Sequence, residues 1–318
     1  MLIRSLQLRR ALAKIRHVFA RNERHVIWIT LATPAVGTAL AVTFLVNGII
    51  QPTTVEITVA VTLYLLTGLG ITIGFHRLFA HRAFTAPTGV RLMLGILGSM
   101  SAQGSLLFWV ATHRRHHAAT DRAGDPHSPY FADGIAIGRW WGLLHAHLGW
   151  MLKVSSASGW NRIPDLLNDR IVLFVNRWYF AWVGLGLALP VIISGLWYGT
   201  FEAMVSGLLW GGLVRIFVSQ QATWSINSLA HVAGIRRFVT QDQSRNNALV
   251  ALISLGEGWH NNHHAAPMSA RFGHAWWEID PGWLTIRMLS RFGLVSDVKS
   301  NRQDWCTRVG RHDQAASA

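Results

Sequence analysis

The sequence has 318 residues, of which 51% are hydrophobic, 14% are charged and 16 are tryptophan, and its mean hydropathy is +0.27. A chain this apolar and this weakly charged is not an ordinary soluble protein, so a membrane protein is expected. Its 29 Lys and Arg residues against 15 Asp and Glu form no contiguous basic motif, which argues against nucleic-acid binding. The single cysteine, Cys306, excludes a disulfide framework and cysteine-ligated clusters, so any metal must be bound by histidine and carboxylate.

The chain begins with a basic flank, residues 1–26, and no small-residue cleavage site follows, so we expect the flank to remain in the mature protein. A bilayer-spanning helix needs about 20 apolar residues. Two closely spaced pairs of stretches meet this length, at about 27–50 and 54–75, and at about 178–199 and 201–224. The short connections within each pair lack Lys and Arg, whereas the other segments are rich in them. The positive-inside rule therefore places both termini and the middle segment in the cytoplasm.

A fifth apolar stretch, Val90–Val110, is long enough to span but has Ser, Gln and Gly residues at its centre. A single crossing here would put the histidines at 76–81 and those at 113–117 on opposite sides of the membrane, where they could not share a site. We therefore predict a buried or interfacial helix, or a re-entrant hairpin, for this stretch.

Three short boxes are rich in histidine: HRLFAH at 76–81, HRRHH at 113–117 and HNNHH at 260–264. Residues at positions i, i+3 and i+4 share a face of a helix, so each HxxHH box can aim three imidazoles at one point. The i, i+5 pair of the first box suits a helix end that leaves the bilayer. Isolated histidines elsewhere in the chain are interpreted as ordinary core or surface residues.

A further candidate, His231, lies at the end of the fourth predicted span, with Asn227 one turn earlier on the same face. Neutral imidazole binds iron, zinc and copper, and one metal takes only about four to six ligands. The candidate histidines of the three boxes together with His231 therefore indicate two metals.

Imidazole ligands usually donate their second N–H to a carboxylate or a carbonyl. Four carboxylates lie close enough in sequence to the boxes to accept it: Asp121, Asp125, Glu257 and Asp280. The alternative is that they form ordinary surface salt bridges with nearby arginines, and the sequence leaves both interpretations open.

Five segments, GFHRLFAHRAF, WVATHRRHHAATDRAGDPHSP, HLGWML, NSLAH and GEGWHNNHHAAP, resemble in order and spacing the motifs of the membrane fatty acyl desaturases. The resemblance covers roughly residues 55–295 and is strongest to the stearoyl-CoA and acyl-lipid delta-9 group. It implies an all-α integral membrane protein with four transmembrane helices in two hairpins under a cytoplasmic helical cap. We expect a desaturase domain at 27–300, a polar tail at 301–318 and a location in the cytoplasmic (inner) membrane.

The resemblance also implies a di-iron centre that uses O2 as co-substrate. Asn227 would reach one metal through water, and the implied histidine ligands are His76, His81, His113, His116, His117, His231, His260, His263 and His264. The expected reaction places a cis double bond, at the delta-9 position, in a saturated acyl chain carried by coenzyme A or a lipid.

Selecting one methylene among many requires a bent, dry tunnel, for which Trp109, Trp150 and Trp259 are candidate wall residues. The sequence contains no HPGG haem segment, so an external electron donor is expected, such as a ferredoxin with its reductase. The basic cytoplasmic face would attract such acidic partners.

Two other functions compete with desaturation. A related membrane di-iron hydroxylase acting on a lipid or hydrocarbon shares histidine boxes, although usually with other spacings. A metal transporter would line a path through the bilayer with histidines, whereas the predicted boxes all lie on one side.

Overall fold

The computed structural model describes residues 25–153 and 159–300, and nearly all of the regular structure in these ranges is helical. Residues 1–24 of the predicted flank and the predicted tail at 301–318 lie outside the described residues. A two-stranded hairpin, β1 (Phe131–Ala132) with β2 (Ile135–Ala136), is the sheet structure in this part of the chain. The helices are α1 (His25–Val46), α2 (Thr54–Ala80), α3 (Thr88–Ser99), α4 (Leu106–Ala119), α5 (Arg139–His147), α6 (Arg170–Arg177), α7 (Tyr179–Tyr198), α8 (Phe201–Val232), α9 (Ala248–Ile253), α10 (His260–Ala265) and α11 (Pro281–Arg291).

Four helices in the described ranges, α1, α2, α7 and α8, are long and apolar enough to cross a membrane. Their outward faces carry exposed apolar side chains, such as Val61 and Leu196, which suits contact with lipid. This confirms the predicted all-helical membrane fold. Helices α2 and α8 continue past the predicted span ends at 75 and 224, and these additional turns carry His76 and His231.

The fifth apolar stretch does not form one helix. Helix α3 ends at Ser99, the chain turns through Ala102 and Gly104 with positive φ angles of 55° and 98°, and α4 begins at Leu106. Gly98 allows α3 to pack closely on α2, because a Cβ there would lie 2.6 Å from the ring of Phe75. The break brings the second histidine box back beside the first, as the re-entrant interpretation requires.

A proline and a buried arginine together shape the α7–α8 pair. Pro190 lacks the N–H that would bond the carbonyl of Gly186 one turn earlier. Arg215 of α8, which is only 2% exposed, donates to that carbonyl at 3.0 Å and to the carbonyl of Met100 at 3.3 Å. The guanidinium therefore supplies the hydrogen bond that the proline removes. It also links the turn between α3 and α4 to helices α7 and α8.

Replacing Arg215 with Leu is expected to lower the thermal unfolding temperature of the purified protein by about 5 °C or more. The variant leaves buried carbonyl groups unpaired, at about 1–3 kcal/mol each. Arg170→Leu, at an exposed arginine of α6, is the matched control and should unfold near the wild-type temperature. Equal unfolding temperatures for the two variants would contradict this role of Arg215.

Candidate metal centre

The first histidine box begins on a π-helical segment, Gly70–Ala80, that forms the last turns of α2, and it ends at the C-cap residue of that segment, His81. The N–H of His81 donates to the carbonyl of His76, an i to i+5 bond of 3.0 Å. A π-helical turn brings residues five apart onto one face, so the rings of His76 and His81 lie 4.8 Å apart between centroids. Residues five apart do not share a face of an α-helix, so the spacing of the first box fits the π-helical geometry of this segment.

The nine candidate histidines form two clusters, in each of which the ring nitrogens lie within 4.8 Å of one another. The five-histidine cluster contains His76, His81, His113, His117 and His263. The four-histidine cluster contains His116, His231, His260 and His264. Asn227 lies one turn before His231 on α8 and is half-buried.

Each HxxHH box divides between the two clusters, so its three imidazoles do not converge on one point as the spacing suggested. In the second box, His113 and His117 join the five-histidine cluster, while His116 joins the other cluster. An α-helix advances about 100° per residue, so neighbouring side chains at i+3 and i+4 point about 100° apart. One box can therefore contribute to two adjacent metals.

Within each cluster the Nε2 atoms point at one another. In the five-histidine cluster, the Nε2 atom of His263 lies 3.0 Å from that of His76 and 2.9 Å from that of His117. In the four-histidine cluster, the Nε2 atom of His260 lies 3.0 Å from those of His231 and His264.

Six of these rings are held in the neutral form by burial. Burial lowers the pKa of five of them well below the usual histidine value, and the neighbouring histidines lower it further; these are His81, His113, His117, His260 and His263. Burial also lowers the pKa of His116 to about 3, although Asp125 acts in the opposite direction. A neutral ring keeps a lone pair on one nitrogen.

The clusters fit two divalent transition metals. A carboxylate can only accept, so a histidine bonded to one must donate from Nδ1, which leaves its Nε2 lone pair free to bind a metal. Converging lone pairs repel unless a cation lies between them. Nitrogen donors of this kind suit iron, and two adjacent clusters suit a two-metal centre.

Carboxylates orient several of these rings. Glu257 contacts the Nδ1 atom of His76, while the Nδ1 atom of His116 donates to Asp125 at 3.0 Å. The Nδ1 atom of His231 donates to Asp121 at 2.9 Å.

The structure places two carboxylates differently from the sequence-based expectation. Asp280 lies apart from the histidines, because it accepts from Arg77 at 2.9 Å and caps the first turn of α11. Asp242, which was not among the candidates, accepts from the Nδ1 atom of His264 at 3.1 Å. It is the only acidic residue between Glu202 and Glu257, and this isolation is the signal that could have identified it.

A small cavity of about 40 Å³ lies beside the five-histidine cluster. Trp109 lines it and stacks on His113, with ring centroids 5.0 Å apart. The other two tryptophans proposed as tunnel walls are not among its lining residues. Trp150 packs on His127, and Trp259 packs on Trp277. The cavity is lined by Tyr64, Gly68, Ile71, Thr72, Ser101, Gln103, Trp109, Ser219, Ala222, Thr223, Ile226, Ile253, Ser254, Leu255 and Glu257.

Metal-free protein is expected to lose stability as the pH falls below about 6.5, the usual histidine value. His81, His113, His117, His260 and His263 resist protonation in the folded chain but accept protons when it unfolds, so each contributes stability above pH 6.5 that is lost below it. The loss is up to about 1.4 kcal/mol per pH unit for each ring. Thermal unfolding of chelator-treated protein at pH 8 and pH 5.5 measures it, and equal unfolding temperatures would contradict neutral rings.

Comparison with known proteins gives one family and several relatives. Residues 54–291 match the family model described as fatty acid desaturase. The chain is 43% identical over 269 residues to a hex-5-enoyl-[acyl-carrier protein] acetylenase of Moorena producens, covering 84% of this chain and 83% of the relative. It is 38% identical to an sn-1 stearoyl-lipid 9-desaturase of Anabaena variabilis, covering 76% and 83%. It is 35% identical to acyl-CoA desaturase 1 of Saccharomyces cerevisiae, covering 76% and 45%.

Proposed function

The chain belongs to the fatty acid desaturase family, and we propose that it uses two irons, O2 and two external electrons to place a cis double bond in a saturated acyl chain. The delta-9 position is proposed from the similarity to 9-desaturases such as that of Anabaena variabilis. The proposed carrier of the acyl chain is coenzyme A or a membrane lipid.

The proposal is supported by residues that line the cavity and also contact histidines of the five-histidine cluster. Thr72, Trp109 and Glu257 all line the cavity. The carboxylate of Glu257 accepts from the hydroxyl of Thr72 and contacts His76, and the ring of Trp109 lies 5.8 Å from that of His76. A substrate chain in this cavity therefore lies directly beside the metal-binding histidines.

A pair of irons, when bound, would supply the oxidising power to remove hydrogen from two adjacent methylenes. The histidines hold the metals, and the carboxylates fix the orientation of the rings. The indole of Trp109 covers one side of the cluster and limits access of water. Because the cavity is small, an acyl chain that enters it must displace lining side chains, which restricts the positions that its methylenes can occupy.

Both histidine clusters lie at the C-terminal ends of α2 and α8, the same end of the bundle. The distribution of Lys and Arg supports a cytoplasmic position for this end, in the inner membrane. A net charge of +14 supports an acidic redox protein, such as a ferredoxin, as the electron donor.

Product analysis under ¹⁸O2 tests the proposed function. Purified protein loaded with iron, in lipid nanodiscs with a ferredoxin, its reductase and stearoyl substrates, is expected to yield a cis-9 monoene without ¹⁸O. Omitting the donor is the control. A hydroxylated product carrying ¹⁸O would replace the proposal with the hydroxylase alternative.

Because the chain is similar to an acetylenase, the experiment includes a second, unsaturated substrate. An alkenoyl substrate offered in parallel distinguishes formation of a double bond from formation of a triple bond. Turnover of the alkenoyl substrate alone, to an alkyne, would assign the chain to acetylenic chemistry instead.

A further inference from the structure

The two histidine clusters differ in the carboxylates behind them. In the four-histidine cluster, Asp125, Asp121 and Asp242 each accept from the Nδ1 atom of a different ring. Three of its four rings are therefore bonded to an anion. In the five-histidine cluster, by contrast, one carboxylate among the described residues contacts a ring nitrogen. It is Glu257, which contacts the Nδ1 atom of His76.

Hydrogen bonds keep the three aspartates anionic. Asp125 also accepts from the backbone N–H groups of Asp121 and His127, at 2.8 and 3.1 Å. Asp121 accepts from the N–H of Gln243 at 2.8 Å, and Asp242 accepts from the N–H of Ser244 at 2.9 Å. Hydrogen bonds of this kind favour the charged form of a carboxylate.

The nearby cations increase the difference. The guanidinium of Arg77, which is fully buried, donates to its closer partner Asp280 at 2.9 Å and, at 3.8 Å from Glu257, offsets part of the negative charge of Glu257. Across residues 25–153 and 159–300, the ion pairs of the three aspartates are with histidine and not with Lys or Arg. The four-histidine cluster is thus the more negative of the two.

We propose that the four-histidine cluster binds its metal first and at least about tenfold more tightly than the five-histidine cluster. An N–H bond to a carboxylate raises the electron density on the opposite ring nitrogen, and loss of such a partner typically weakens metal binding about 10–100-fold. Negative charge near the site also attracts a dication through a medium of low dielectric constant. These effects outweigh the one additional neutral ligand of the five-histidine cluster. The inference rests on the proposed two-metal centre.

Metal titration of the chelator-treated full-length protein tests this order. Anaerobic addition of Co2+, followed by calorimetry and by its visible absorption, is expected to show two binding events with dissociation constants at least about tenfold apart. His231→Ala should remove the tighter event, and His81→Ala should remove the weaker one. The reverse assignment, or two equal events, would overturn the proposal.

Variants that remove charge but keep shape complete the test, because an asparagine oxygen still accepts the ring N–H. Asp125→Asn and Asp242→Asn are expected to weaken the tighter event about 10–100-fold, whereas Glu257→Gln should weaken only the other event. Equal thermal unfolding temperatures of the metal-free forms establish that folding is intact. An unchanged tighter event in both aspartate variants would overturn the proposal even if desaturation is observed, and absence of any metal binding by the wild type would overturn the proposed function as well.

Discussion

Replacing His263 with Ala is expected to lower the yield of monoene at least roughly a hundredfold. His263 is fully buried, and its Nε2 atom lies within 3.0 Å of two other rings of the five-histidine cluster, those of His76 and His117. Its removal opens that cluster and takes away the ring nitrogen on which those of His76 and His117 converge. Gas chromatography with mass spectrometry of lipids from a desaturase-deficient host measures the change.

His145→Ala is the matched control, because His145 is a half-buried histidine of α5 outside both clusters. It should give the wild-type amount of product at equal expression. A monoene yield from His263→Ala close to that of the control would show that the five-histidine cluster is not required for the reaction.

Replacing Tyr64 with Ala is expected to shift the products toward longer acyl chains. Along α2 the residues that line the cavity are Thr72, Ile71, Gly68 and Tyr64, in order of distance from His76. Tyr64 lies eight residues before Thr72, roughly 12 Å along the helix. Its phenol donates a hydrogen bond to the carbonyl of Ile253, and the ring closes this end of the cavity. Removing the ring extends the space for the methyl end of the substrate.

Competition between saturated chains of different length measures this shift in the same host. One methylene changes discrimination in an apolar pocket by roughly tenfold or more, so the product ratio should change by at least that factor. Tyr64→Phe keeps the ring and loses only the hydroxyl, and should keep the wild-type preference. An unchanged chain-length distribution in Tyr64→Ala would place the end of the substrate elsewhere.

The sequence predicted the four spans and the family because both depend on local patterns, namely apolar length and the spacing of histidines. Two features of the site could not be predicted from the sequence, for physical reasons. The first box uses π-helical geometry, which depends on the packing of α2 and not on box spacing alone. The division of each HxxHH box between two clusters depends on where α4 and α10 meet, and helix periodicity does not specify that arrangement.

The contacts of the carboxylates with the histidines could also be predicted only in part from the sequence. Glu257, Asp121 and Asp125 lie near histidine boxes in sequence, and the structure brings each of them to a ring nitrogen. Asp242 lies 22 residues before its partner His264 and reaches it only through the loop between α8 and α9. Asp280 lies only 16 residues after the third box, yet it pairs with Arg77 instead. Proximity along the chain is therefore a weak guide to these contacts.

The nine histidines are proposed to hold two irons in one centre. Elemental analysis of the purified protein, expressed with ⁵⁷Fe, combined with Mössbauer spectroscopy, tests it most directly. Two irons per chain are expected, in two distinguishable nitrogen-rich environments, and about one iron per chain in His81→Ala. A single iron per chain, or zinc in place of iron in active protein, would contradict it.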